Sequence, residues 1–132
     1  VLKKFIIRNN HKERKNIMAE EKMRRYLIIH ESGGVTHEAV PFKKKWDLDK
    51  LQKSVQGDTP KGYIESVKLK IQGKSYQGWA HEEALRYRMR PNLKASKYYH
   101  SYHYGEEKIA EGTLGICGPV VVENFKGDHL SV

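Results

Sequence analysis

The first hydrophobic segment of the chain has the residue types of a β-strand. Residues 24–30 form a short apolar run rich in aromatic and β-branched side chains, between basic flanks. Residues 31–34 (ESGG) have the composition of a turn, and residues 35–42 resemble a returning strand that Pro41 would end or confine to a sheet edge. Together these segments predict a β-hairpin.

A second strand pair is predicted further along the chain. Residues 63–71 alternate between apolar and polar side chains, as in a strand with one face buried and the other in water. Gly73 and Lys74 are predicted to form a two-residue turn with glycine first, and residues 75–80 to pair back across it. The apolar side of the first strand comprises Val67, Leu69 and Ile71.

Residues 48–55 have the spacing of an amphipathic helix, with apolar residues at i, i+3 and i+7 on one face. Asp47 suits the N-cap, and Trp46 is expected to pack on Leu51 as a hydrophobic staple. Gly57 stands just past the end, where a left-handed C-cap is favoured. The apolar face comprises Leu48, Leu51 and Val55.

A second helix and a last strand are predicted in the C-terminal third. Asn92 is a suitable N-cap for a helix over residues 93–103, and Gly105 would break it. Residues 112–123 combine glycines, a proline and a β-branched run. This composition predicts a strand that bends near Gly118 and Pro119.

Residues 85–90 (LRYRMR) alternate strictly between apolar and cationic side chains. In extended backbone the apolar residues would pack inward and the arginines would share a solvated face. In a helix the first and last arginines would become a repulsive i, i+4 pair. We favour extended or irregular backbone because Pro91 disfavours a helical residue before it. The apolar residues are Leu85, Tyr87 and Met89, and the cationic ones are Arg86, Arg88 and Arg90.

Length and composition fit one small α+β domain. The chain has 132 residues, of which 38% are hydrophobic and 31% charged. We expect a single domain over residues 23–124, with a mainly antiparallel sheet of four to six strands and two helices. Residues 1–22 would form a basic N-terminal arm and residues 125–132 a C-terminal tail. No apolar run approaches the length of a membrane span, so no membrane partner is expected.

The cysteine content indicates the redox state of the cellular compartment, and the distribution of charge indicates the class of partner. Cys117 is the only cysteine, so no internal disulfide is possible and a reducing compartment fits best. Residues 1–17 supply more than half of the net charge of +9, through six lysines and arginines against one glutamate. Such an arm favours contact with nucleic acid or an anionic surface. The alternative is a solubilising tail or leader residues, with Met18 as a natural start.

Five stretches of the chain resemble a family of small proteins. They are residues 25–29 (RYLII), 48–57 (LDKLQKSVQG), 62–67 (GYIESV), Asn92 with Ala95, and 116–122 (ICGPVVV). In these stretches, which are spread over residues 24–123, the chain resembles an uncharacterised family of small proteins found in large algal viruses, bacteriophages and mobile elements. The resemblance implies an α+β domain of viral or mobile-element origin and carries no established activity. Residues 58–61 separate the helix from the GYIE strand, an insertion that the family usually lacks.

The residues that could carry catalysis form no known motif. His100 and His103 lie one helical turn apart and could share an ion with Glu106 or Glu107, but a zinc site needs three or four supported ligands. Cys117 lies in an apolar context that disfavours a reactive thiolate. We therefore expect a non-enzymatic protein with no catalytic residues, no metal and no cofactor. A metal-dependent hydrolase that uses the two histidines is the weakest alternative.

The aromatic and basic residues around the second helix are the best candidate for a binding surface. Cationic side chains bind phosphates, and tyrosine rings stack on unpaired bases. The competing interpretation is a solvated arginine face with tyrosines packed on the sheet. The candidate binding residues are Arg86, Arg88, Arg90, Lys94, Lys97, Tyr98, Tyr99 and Tyr102, with Lys3 and Lys4 of the arm.

This surface predicts a small basic protein that binds nucleic acid, in the host cytoplasm or nucleus or associated with a virion. The alternative partner is an acidic protein surface. In that case the chain would be a virion component, a homo-oligomer or an inhibitor of a host protein.

Overall fold

The computed structural model describes residues 23–105, 115–124 and 130–132, which form a five-stranded antiparallel sheet with a helix on each face. The order across the sheet is β2-β1-β5-β4-β3, and every neighbouring pair is antiparallel. The predicted α+β class is confirmed. The elements are β1 (Met23–Ile29), β2 (Val35–Pro41), α1 (Leu48–Gln56), β3 (Ile64–Ile71), β4 (Lys74–His81), α2 (Leu93–Tyr104) and β5 (Val120–Asn124).

Alternation along the strands divides the core between the two faces of the sheet. Tyr26 of β1 points to the α1 face, where its ring stacks on Trp46 with 4.3 Å between centroids. Its hydroxyl also accepts a hydrogen bond of 2.9 Å from the Trp46 N–H. On the α2 face, Leu27 and Ile29 join the buried residues Val67, Leu69, Ile71, Ala80, Ala95, Val120, Val122 and Leu130.

Helix α1 begins as its sequence predicts. The Asp47 carboxylate accepts a hydrogen bond of 2.8 Å from the Lys50 N–H, which confirms the N-cap. Leu51 and Trp46 belong to one buried cluster, but Leu48 is 59% exposed, so its predicted burial is wrong. Trp46, stacked on Tyr26, already fills the core position at this end of the helix. Gly57 has a positive φ of +54°, but its ψ of −133° is not that of the left-handed cap predicted.

The turn between β3 and β4 lies one residue earlier than predicted. Ile71 pairs with Lys74, which leaves Gln72 and Gly73 as the two turn residues. Both have positive φ, +52° and +77°, as a type I′ turn requires. The glycine of the turn predicted the wrong position because Gln72, rather than a glycine, occupies the first left-handed position.

The C-terminal part of the chain follows its prediction in α2 and departs from it at the end. Gly105, with φ +74° and ψ 6°, ends α2 in a left-handed cap. Gly118, with φ +82°, bends the chain before β5 as predicted. Leu130 is only 6% exposed and packs in the core, so the last described residues belong to the domain rather than to a loose tail. The two residues of this segment that pack on the core, Leu130 and Val132, are too few to give a periodicity from which to predict this packing.

Some predictions fall on residues that the structure does not describe. They include the basic arm over residues 1–22, the first residues of the last predicted strand and residues 125–129. In the described ranges, no helix has the length and apolar character needed to cross a membrane.

Candidate nucleic-acid interface

Residues 82–88 form successive turns. Of the extended or irregular backbone predicted for residues 85–90, the irregular alternative is therefore the one observed, and a strand is not formed. The Arg88 N–H donates to the Leu85 carbonyl at 3.1 Å, and the Met89 N–H to the Ala84 carbonyl at 3.0 Å. These two bonds form a Schellman motif with Arg88 in the left-handed position, at φ +53°. Pro91 restricts only the residue before it, and the turn has already closed at Arg88.

The turn changes which side chains of this segment reach solvent. All three arginines are exposed, as predicted, but they project from a turn rather than from one strand face. Tyr87 and Met89 are half-buried. Leu85 is 62% exposed, and its predicted inward packing is therefore wrong. The segment of residues 85–90 is termed the arginine turn below.

His81 fixes the arginine turn to the loop after α1. The Glu83 N–H donates to His81 Nδ1 at 3.0 Å, so in the neutral ring the proton is on Nε2. Nε2 then donates to the Thr59 hydroxyl at 2.9 Å. The histidine is 2% exposed and has both ring nitrogens occupied, which makes it a structural link.

Asn92 fixes the other end of the arginine turn. Its side chain is fully buried, and its Nδ2 group donates to the carbonyls of Ile29 at 2.8 Å and Gly118 at 2.9 Å. Its Oδ1 accepts from the Ala95 N–H at 3.1 Å, which confirms the predicted N-cap. One side chain therefore joins β1, the bend before β5 and the start of α2.

A cleft of about 280 Å³ separates the arginine turn from the loop after α1. Arg88 and Arg90 line it, and neither makes an ion pair with any residue that the structure describes. This cavity is termed the arginine cleft. Its lining residues are Glu31, Gly57, Asp58, Thr59, Pro60, Tyr87, Arg88, Met89 and Arg90.

Arg86 lies on the same turn and makes a weak ion pair. Its guanidinium is 3.4 Å from the Glu83 carboxylate and 5.8 Å from the centre of the Tyr87 ring. The Arg86 side chain is 73% exposed, and such exposed pairs contribute only about 0–1 kcal/mol. The pairing therefore leaves Arg86 available to another anion.

The remaining predicted residues do not form one surface with the arginines. Lys94 donates to the Gly33 carbonyl at 2.8 Å, which holds it against the β1–β2 turn. Tyr98 and Tyr99 pack on the core, so their rings are partly used in folding. Lys97 is exposed, and Tyr102 is 40% exposed near the far end of α2. The arginines thus gather at one end of the sheet, away from Tyr102, and Lys3 and Lys4 lie outside the described residues.

A second basic cluster, which the sequence prediction missed, lies at the opposite end of the sheet. Phe42 is 47% exposed, and the Arg24 guanidinium lies 4.6 Å from the centre of its ring. The three lysines of residues 43–45 follow and are all exposed. Three consecutive lysines after a phenylalanine were the available signal.

The two histidines considered as metal ligands have different surroundings. His100 is 2% exposed, and its Nε2 has no hydrogen-bond partner. His103 is exposed and 4.3 Å from the Tyr99 ring. No group of three or more potential ligands is assembled in the part of the chain that the structure describes. Glu106 and Glu107 lie outside that part.

The Cys117 thiol is expected to react slowly at neutral pH. Burial, and then the negative charge of Glu31, raises its pKa above the ordinary value, so the reactive thiolate is scarce. Alkylation by iodoacetamide, measured against pH by mass spectrometry, should have its midpoint above that of a free cysteine. Glu31→Gln should lower this midpoint part of the way. A midpoint at or below that of free cysteine would contradict this expectation.

Comparisons of the chain with protein-family models, with curated proteins and with solved structures found no match. The resemblance to the viral family is thus supported only by the sequence stretches quoted above.

Proposed function

We propose that this chain is a small non-enzymatic protein of viral or mobile-element origin that binds single-stranded nucleic acid at the arginine cleft. The observation that carries the proposal is the pair of arginines, Arg88 and Arg90. Both are exposed, both lack an ion-pair partner among the described residues, and both line one concave surface. Guanidinium groups in this state bind phosphate oxygens in pairs of parallel hydrogen bonds.

The backbone of Arg88 also supports a binding role. Glycine is the usual residue at the left-handed position of a Schellman motif, because a side chain there costs about 1–2 kcal/mol. Backbone strain of this kind persists when the rest of the fold fixes it, and it clusters at functional sites. Arg88 is fixed by its own turn and by the links through His81 and Asn92. A role that requires its guanidinium accounts for the choice of arginine over glycine.

The shape of the site favours an unpaired strand. A concave cleft beside a half-buried tyrosine admits a single backbone and one base, whereas a duplex presents a convex surface. With single-stranded nucleic acid as its partner, the protein is proposed to act in the host cytoplasm or nucleus, or in the virion.

Replacing Arg88 by glycine is expected to weaken nucleic-acid binding without destabilising the fold. Glycine relieves the left-handed strain, so the free energy of unfolding should stay the same or rise by up to about 1 kcal/mol. Affinity for single-stranded oligonucleotides should fall about five- to tenfold at low salt. The slope of log affinity against log salt should decrease by about 0.7, the value for one lost phosphate contact. Fluorescence anisotropy with DNA and RNA strands at several salt concentrations measures both effects.

A charge-matched control separates the cleft from general basicity. The double variant Arg88→Gly/Arg90→Gln removes two positive charges at the cleft, and Lys44→Gln/Lys45→Gln removes two at the opposite end of the sheet. The arginine variant should lose more affinity than the lysine variant. Equal losses of affinity in the two variants would show that net charge alone, and not the cleft, determines binding. If no strand binds even at low salt, the proposal is wrong.

A protein partner is the second candidate, and two exposed leucines favour it. Leu85 and Leu93 are 62% and 65% exposed, one within the arginine turn and one three residues after it, and exposed apolar patches rimmed by polar residues mark protein interaction sites. Leu85→Ser/Leu93→Ser should then reduce capture of an acidic protein after nuclease treatment and leave oligonucleotide affinity unchanged. Loss of oligonucleotide affinity in this variant, with no captured protein, would contradict the second candidate.

A further inference from the structure

The arginine cleft contains carboxylates as well as guanidinium groups. Glu31 and Asp58 line it together with Arg88 and Arg90. No ion pair within 4.0 Å joins these acidic and basic side chains, although they share the cavity. Binding of a phosphate backbone alone would be weakened by the acidic groups. Their presence indicates a ligand that offers both an anion and hydrogen-bond donors.

Two glycines and a methionine fix the floor of the cleft. The Met89 methyl group lies 3.3 Å from the position that a Cβ on Gly57 would take, and 2.9 Å from the same position on Gly118. Side chains at either glycine would therefore displace Met89. The links from His81 to Thr59 and from the Gly118 N–H to the Arg90 carbonyl, at 2.9 Å each, hold the surrounding walls. The cleft is thus preformed rather than assembled around a ligand.

The size and apolar surfaces of the cleft narrow the class of ligand. Its volume of about 280 Å³ is near the lower end of the range for small-molecule sites, about 300–1000 Å³. Tyr87, Pro60 and Met89 offer surfaces on which a flat ring can pack. A nucleotide combines such a ring with a phosphate and, in three of the common bases, with an exocyclic amino group.

We propose that the arginine cleft holds one nucleotide of the bound strand and selects bases that carry an amino group. The phosphate lies on Arg88 and Arg90, and the amino group donates to Asp58 or Glu31. Carboxylates accept hydrogen bonds from the cytosine amino group, whereas uracil and thymine present a carbonyl oxygen at that position and are repelled. This inference rests on the proposed function and adds base selectivity to it.

The test uses cytidine and uridine monophosphates with the full-length protein. Nuclear magnetic resonance titration should show cytidine monophosphate shifting the amide signals of residues 57–60 and 87–90. Its affinity should exceed that of uridine monophosphate and of inorganic phosphate by at least about fivefold, the lower bound for one good base contact. The double variant Glu31→Gln/Asp58→Asn should bring the two nucleotides to equal affinity. It should also strengthen phosphate binding, because two negative charges are removed.

The possible outcomes separate this inference from the proposed function. Equal affinities for both nucleotides and for inorganic phosphate would make the cleft a simple anion site and overturn the inference. So would an unchanged preference in the Glu31→Gln/Asp58→Asn variant. If no mononucleotide binds while Arg88→Gly still weakens oligonucleotide binding, base selection fails and the proposed function survives. If no oligonucleotide binds at all, both fail.

Discussion

Replacing Asn92 by alanine is expected to lower the free energy of unfolding by about 3 kcal/mol. The variant removes the N-cap of α2, an interaction that contributes about 1 kcal/mol. It also leaves the carbonyls of Ile29 and Gly118 without the donor that now serves them in a fully buried site. Each unsatisfied buried acceptor costs about 1–3 kcal/mol, and the spare capacity of carbonyl oxygens places the cost here near the lower value. Urea unfolding followed by circular dichroism measures the loss.

Two control variants divide this loss into its parts. Asn92→Ser keeps a side-chain acceptor for the cap and loses the two Nδ2 donors, so it should recover about 1 kcal/mol relative to alanine. Asp47→Ala removes the exposed N-cap of α1 and should cost about 1 kcal/mol by itself. If Asn92→Ala costs no more than Asp47→Ala, the two buried bonds contribute nothing to stability.

Asn92 also shows how far sequence reasoning reaches in this chain. Its role as an N-cap was predictable because that role depends on residues three positions away. Its bonds to Ile29 and Gly118 join positions 63 and 26 residues apart, and nothing local marks them. The helices and strands were likewise predictable from local periodicity, whereas the links that orient them depend on contacts distant in sequence.

The arginine turn shows a different limit. Strict alternation of apolar and charged residues has the period of a strand, and Pro91 disfavours a helix before it, so extended or irregular backbone was predicted. A Schellman motif is normally marked by glycine, and here arginine occupies the position, so the usual stop signal is missing. Exposure of the three arginines was nevertheless correctly predicted, since charged side chains remain in solvent in either conformation. The exposure of these side chains was therefore better predicted than the backbone that carries them.

The arginine cleft could not be predicted at all as a site. Its lining residues come from the β1–β2 turn, the loop after α1 and the arginine turn, three segments that meet only in the folded chain. Asp58, Thr59 and Pro60 looked like an inserted loop without a role. In the folded chain this loop forms the wall of the cleft opposite Arg88 and Arg90. If the cleft binds nucleic acid as proposed, changes in the loop should alter binding as well as stability.

Gly62→Ala is expected to destabilise the protein by about 3 kcal/mol, at the upper end of the range for overpacking. A Cβ on Gly62 would overlap the Gln52 carbonyl oxygen, and it would lie 2.9 Å from the carbonyl carbon and 3.1 Å from the Gln56 Cα. All three are backbone atoms of α1, so no side chain can rotate away and the helix must shift. Urea unfolding at several protein concentrations measures the loss and excludes association.

Gly34→Ala is the matched control for this substitution, because its new Cβ would meet only the Ser32 hydroxyl at 3.5 Å. It should change stability by less than about 0.5 kcal/mol. Gly62 also ends the loop that forms one wall of the arginine cleft, so the shift of α1 should move Thr59 away from His81. Gly62→Ala should therefore weaken oligonucleotide binding even at temperatures where the variant is fully folded. Unchanged affinity together with lost stability would show that this wall of the cleft takes no part in binding.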